Sequence, residues 1–176
     1  EIRDEETAQI GLRAALTGHL VFSTLHTKDA ASTPIRLVDM GAPGYMVATS
    51  VHAVIAQRLV RLICESCTEE HAPDEHEARW LEAVAGPDWP KTKYRHGRGC
   101  SHCNGSGYAG RTGVYEMLEM TPELVRAANR ADPNLFIDAA RRHLEGRTLT
   151  DHAIALVQAG RTTVSEAIKA AVQVED

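Results

Sequence analysis

Apolar and polar positions change period along the chain, and the changes mark its elements. EETAQIGLRAALT at 5–17 opens with acids and carries Ile10, Ala14 and Leu16, which predicts a helix stopped by Gly18. LVFSTL at 20–25 is short, apolar and partly β-branched, the pattern of a strand buried on both faces. Thr33-Pro34 supplies a cap and a proline at the first helical position, so IRLVDM reads as a helix ending at Gly41. YMVATSVHAVIAQ at 45–57 predicts another apolar helix, and RLVRLI at 58–63 a strand running into Cys64. Helix, strand, helix is the rhythm of an α/β domain whose helices cover both faces of a parallel sheet. TGVYEML at 112–118 is β-prone and alternating. Beyond it, Thr121-Pro122 and Asp132-Pro133 are cap-plus-proline helix starts, and Gly146 and Gly160 are stops. Leu149, Ile154, Leu156, Val157, Val164, Ile168 and Val172 supply the core of this helical C-terminal part.

Composition narrows the class. The 176 residues are 43% hydrophobic and 24% charged, which is globular rather than disordered. Aromatics are only 5%, so the core is built from Leu, Val, Ile and Ala. A net charge of −5 disfavours nucleic acid as a partner, and no apolar run reaches the length of a membrane span. The chain opens on Glu-Ile-Arg-Asp-Glu-Glu rather than on Met or a secretory signal, and it reads as a fragment of a longer protein. Charge is also segregated: 65–90 carries a net −7 and 91–111 a net +5, which sets 64–111 apart as an inserted module.

Four cysteines give that module its chemistry. Cys64-x-x-Cys67 and Cys100-x-x-Cys103 are two knuckles with 32 residues between them. Each knuckle aims two sulfurs at one centre, and together they supply the four thiolates of a closed, structural Zn²⁺ site. Arg95, Arg98 and Arg111 can offset its negative charge, and the glycines at 97, 99, 105 and 107 allow the tight turns. A redox dithiol and unrelated buried thiols are the competing readings, but one pair suffices for a switch. His71, His76, His96 and His102 lie nearby and read as solvated loop residues, since the four Cys already satisfy a metal.

Gly105–Thr112 nearly matches a phosphate-binding G-x-x-x-x-G-K-[ST] loop, with Arg111 for Lys. Such a loop opens a helix, whereas a β-prone segment follows here, and Arg does not replace the phosphate-gripping Lys. The glycines are read instead as turning the chain out of the knuckle. Polar groups also flank the predicted strand at 20–25. His26, Thr24 and Thr27 fall at its carboxyl end, where open α/β sheets bind ligands, and His19 at the other.

EIRDEETAQ, TGHLVFSTLHT, AQRLVRLIC, the doubled C-x-x-C and GYAGRTGVYEML occur in that order. Together they resemble the secretion ATPase superfamily, above all the assembly ATPases of type II secretion and type IV pilus systems. The resemblance covers essentially the whole chain. Pilus retraction ATPases are similar but lack the four cysteines, which favours an extension or secretion motor. The resemblance implies the C-terminal part of a RecA-like P-loop NTPase domain at 1–63, a tetracysteine zinc module at 64–111, and a strand plus helical subdomain at 112–176. It implies that Glu1 ends the Walker B strand and polarises the attacking water, with His26 as γ-phosphate sensor. His19, Thr24 and Thr27 are implied nucleotide contacts, with Gln57 and Arg58 weaker ones near a nucleotide or subunit boundary. ATP and Mg²⁺, a homo-hexamer, an inner-membrane platform protein as partner, and a cytoplasmic position peripheral to the inner membrane follow from the same likeness. The Walker A loop and Asp box of the family are absent from these residues, so the piece alone is expected not to hydrolyse ATP. A zinc-stapled interaction module without enzymatic activity is the alternative, and a thiol oxidoreductase a third reading.

Overall fold

The computed structural model describes residues 1–130 and 132–171. The chain forms two compact units: Glu1–Ala56 with Glu116–Glu145, and Gln57–Tyr115 with Gly146 and the described residues after it.

The first unit begins with α1 (Glu5–Leu16), fixed at its start by a reciprocal cap. Asp4 Oδ1 accepts from Thr7 N at 2.9 Å, and Asp4 N donates to Thr7 Oγ1 at 3.3 Å. α2 (Thr33–Asp39) and α3 (Gly44–Ser50) follow. Ala8 and Leu12 of α1 pack with Leu37, Ala42, Met46 and Val47 into one apolar core, with Ile2, Leu25 and Val51 against it. α5 (Pro122–Ala128) and α6 (Pro133–Leu144) complete the unit and start where the sequence indicated. Thr121 Oγ1 accepts from Leu124 N, and Asp132 Oδ1 from Asn134 N at 2.9 Å.

In the second unit β2 (Thr68–His71) and β3 (Tyr94–Gly97) form an antiparallel pair, joined through α4 (Glu75–Val84). The register sets Glu69 opposite His96 and Glu70 opposite Arg95. The charge segregation of the sequence becomes cross-strand pairing: Lys93 Nζ donates to Glu70 at 2.8 Å, and His96 Nε2 contacts Glu69 at 3.0 Å. α7 (Leu149–Gln158) packs on α8 (Val164–Ala171), burying Leu149, Ile154, Val157 and Val164. Leu156 and Ile168 are half-buried, and Val172 lies outside the described residues.

β1 (Ala53–Ile63) pairs with β4 (Tyr108–Glu119) in a separate two-stranded sheet. Cys64 N donates to Gly107 O, and Met120 N to His52 O, both at 2.9 Å. These bonds join opposite ends of the two strands, so the pair is antiparallel. The division between the two units falls within both strands.

Four expectations change. The helix expected over 45–57 stops at Ser50, and the strand starts at Ala53 rather than 58. Val54 and Ile55 are β-branched, and β4 provides a partner for the strand that contains them, so extended backbone wins. The cap of α2 is Ser32, one residue before the predicted Thr33, whose hydroxyl donates instead to Asp29 O at 3.1 Å. Residues 20–25 form no strand, and no parallel sheet is present among the described residues. Thr24 O accepts from Ile2 N at 2.9 Å, one rung where a ladder is needed, and Leu20 and Phe22 are 83% and 87% exposed. Finally, His71 and His96 are not solvated loop residues. They lie on β2 and β3 with rings stacked at 4.9 Å, and His71 Nε2 contacts the buried Glu77 at 2.7 Å.

Candidate functional site

The cysteines converge as their spacing required. A 3₁₀ turn at Glu65–Cys67 closes the first knuckle, with Cys67 N donating to Cys64 O at 3.2 Å. The second closes through Gly105 N to Cys100 O at 2.9 Å. The chain entering and leaving the second knuckle touches itself directly. A Cβ on Gly97 would stand 2.1 Å from Gly107 O, so no side chain fits there. The four sulfurs all lie within 4.8 Å of one another. Cys64 to Cys100 is 3.9 Å, and Cys67 to Cys103 and Cys100 to Cys103 are 3.8 Å. Those separations are far from the ~2.0 Å of a disulfide. They match the ~3.8 Å edge of a sulfur tetrahedron built on ~2.3 Å zinc–sulfur bonds. The donor set therefore fits a divalent zinc ion.

Electrostatics favours thiolate at one corner of this cluster. Burial pushes the Cys103 thiol up, but N–H donors from Cys100 and Gly107, each 3.2 Å from its sulfur, outweigh it and bring it to about 6. Burial pushes Cys67 up to about 12, with the neighbouring thiols adding to it. Sharing of charge in this way is what a bound cation would resolve.

A second cluster lies at the start of the first unit. Glu1 Oε1 meets His26 Nε2 at 3.1 Å, and Arg3 donates to Glu1 Oε2 at 2.6 Å. The Arg3 hydrogen bond, with His26 adding to it, holds the Glu1 carboxyl below its ordinary range. Glu1 is thus an ionised acceptor, and His26 is 96% exposed, open to anything that approaches. The remaining implied contacts have other partners. His19 Nδ1 lies 3.1 Å from Thr17 Oγ1 and 3.2 Å from Ala14 O, at the end of α1. Thr27 Oγ1 meets Thr33 Oγ1 at 2.8 Å. Thr24 contributes its carbonyl to Ile2, and Arg58, on β1, donates to Gln57 O at 2.9 Å. Arg3 carried no assigned role in the sequence. Its signal was the two-residue spacing from Glu1, too short a pattern to single it out. Leu20, Val21 and Phe22 run beside His19 along an open groove of about 450 Å³, lined also by Ile2, Leu12 and Val51. Gly105–Gly107 open a strand rather than a helix, so the near-match to a phosphate loop is a turn.

The family description "Type II/IV secretion system protein" matches residues 1–169. The chain belongs to that family. Type II secretion system protein E of Pseudomonas aeruginosa is 41% identical over 167 residues, covering 88% of this chain and 33% of that protein. The type IV pilus assembly ATPase PilB of the same organism is 45% identical over 131 residues, 72% of this chain and 22% of that one. The chain thus spans a third or less of these relatives. Among solved structures, the pilus retraction motor PilT with bound ADP is similar, with a TM-score of 0.63 and 23% identity. That match covers 98% of this chain and 38% of PilT. The shared fold is α/β. Among the described residues no helix is long and apolar enough to cross a membrane.

Proposed function

We propose that this chain is the C-terminal portion of a hexameric ATPase that powers type II secretion or type IV pilus assembly at the cytoplasmic face of the inner membrane. The observation that carries the reading is the contact of His26 Nε2 with Glu1 Oε1, 3.1 Å across 25 residues of sequence. An ionised carboxylate beside an exposed imidazole is the pair such a reaction needs: one to polarise water, one to meet the terminal phosphate. In this reading residues 1–63 complete a RecA-like nucleotide domain, with His19, Thr24, Thr27 and Arg58 near the nucleotide and Mg²⁺ supplied with ATP. Cys64, Cys67, Cys100 and Cys103 hold a structural Zn²⁺ within the module at 64–111, and residues 112–176 form the following strand and helical subdomain. The motor acts on a platform protein of the inner membrane.

The 176 residues contain no G-x-x-x-x-G-K-[ST] loop, so by themselves they neither bind nor turn over ATP. Phosphate release is the test. The isolated chain stays at background, while in the intact ATPase His26→Ala lowers kcat about a hundredfold, the scale of a lost transition-state donor. Turnover by the isolated chain, or an intact ATPase indifferent to His26→Ala, overturns the reading.

A further inference from the structure

Strand β4 carries a charge where its pattern calls for a hydrocarbon. Its inward positions are Val114, Glu116 and Leu118; both aliphatics are fully buried, and Glu116 is only 5% exposed. A Leu at 116 would continue the alternation at no desolvation cost, whereas a buried carboxylate must be matched by donors. One donor lies 86 residues away in sequence: Ala30 N gives its hydrogen to Glu116 Oε1 at 2.8 Å, inside the first unit.

Ala30 and Ala31 are buried, and the turn around them is tied within itself. Ser32 N donates to Asp29 Oδ1 at 2.7 Å, and Thr27 and Thr33 join through their hydroxyls. This turn begins at the residue after His26. The segment that carries His26 has no sheet to hold it; Ile2 N grips it at Thr24 O. Glu116 grips the chain on the far side of His26, four residues on.

We infer that Glu116 is a positioning residue, a buried carboxylate that anchors the Ala30 amide and thereby fixes where His26 stands relative to Glu1. The inference rests on the motor reading for its functional consequence, though the anchor itself does not. Its sequence signal is a single acid at an inward position of TGVYEML.

Amide exchange on the 176-residue chain tests the anchor, and kinetics on the intact ATPase test its consequence. In the unaltered chain the Ala30 amide is expected to be protected; exchange at a free-peptide rate overturns the anchor without any variant. Glu116→Leu, which fits the apolar face but accepts nothing, raises exchange at Ala30 at least about tenfold more than at core amides such as Val47. Glu116→Gln keeps a carbonyl acceptor and restores protection. A uniform rise across the first unit would mean that Glu116 serves only stability, and would sink the proposal. In the intact ATPase, Glu116→Leu lowers kcat about a hundredfold, the scale of an ångström of misplacement, with KM little changed and Gln rescuing. A rise in KM alone overturns the positioning role. An intact ATPase without turnover before any substitution overturns the motor reading instead, while the exchange data still decide on the anchor.

Discussion

The sulfur cluster and the His26 segment both stood out in the sequence, yet they fold on different terms. The cluster is closed upon itself. Its donors come in local knuckles, three of its four cysteines are buried, and its backbones are so close that Gly97 and Gly107 touch. The segment at 19–27 is open. It shows Leu20 and Phe22 to solvent, rests Leu25 on the core of the first unit, makes one rung with Ile2, and runs into a turn that Glu116 of β4 holds at Ala30. A short motif that brings its own partners takes its geometry wherever it is placed. A motif designed for the middle of a sheet takes its geometry from strands beside it.

The largest effect that can break this comparison is loss of a sulfur ligand. Cys100→Ser is expected to abolish zinc binding measured by elemental analysis and to melt Gln57–Tyr115, followed through Trp80 and Trp89, which both lie there. Helix α1 in the other unit keeps its protection. Full folding of the variant with no metal bound would show that the cluster is held by packing alone.

The next effect concerns the polar tie within the second unit. Glu166 is 6% exposed, accepts from Arg61 N at 3.0 Å and from its guanidinium at 2.8 Å, and meets Lys169 Nζ at 3.1 Å. Burial pushes its carboxyl up, but the Arg61 bonds and Lys169 outweigh this and bring it down from 4.5 to about 2. A folded carboxyl that titrates lower than the unfolded one stabilises fully above pH 4.5 and loses that contribution as pH falls toward 2. The difference amounts to roughly 3 kcal/mol. Urea unfolding read by tryptophan fluorescence should show Glu166→Gln weaker than the original chain by that margin at pH 5.5, with the gap closing near pH 2. A gap independent of pH would mean that shape, not charge, holds Arg61.

The smallest effect is on the open segment. Phe22→Ser should change stability by no more than about 0.5 kcal/mol, because the ring is already in solvent. Phe22 is 87% exposed, and urea unfolding followed by far-ultraviolet circular dichroism checks this. A marked drop in stability would mean that the segment packs more closely than its exposure indicates.

Helix starts were legible at Asp4, Thr121 and Asp132, where a side chain closes its own cap, while the same kind of cap at Asp74 and Thr148 went unread. The sulfur site was legible for the same reason of short range. The strand at 20–25 was misread because apolar, β-branched residues state a preference for a sheet without supplying one. The stretch 53–57 was misread in the opposite sense: it belongs to β1, β4 pairs with that strand, and a helical period yielded to cross-strand pairing. Glu116 was overlooked because Tyr115 and Met117 make the opposite face of the strand apolar too, so the alternation alone does not say which face is inward. The fold decides it, turning Glu116 toward an amide 86 residues away.

What these residues determined by themselves was local: caps, knuckles, turn glycines and the order of motifs that marks the family. Tertiary structure decided which apolar runs find partners, how acids at 69 and 70 meet bases at 93 and 96, and which carboxylates are buried. The reason is one of range. A cap or a knuckle is satisfied within a few residues, whereas pairing and burial depend on chain brought from far away, whose loop-closure entropy only the whole fold repays.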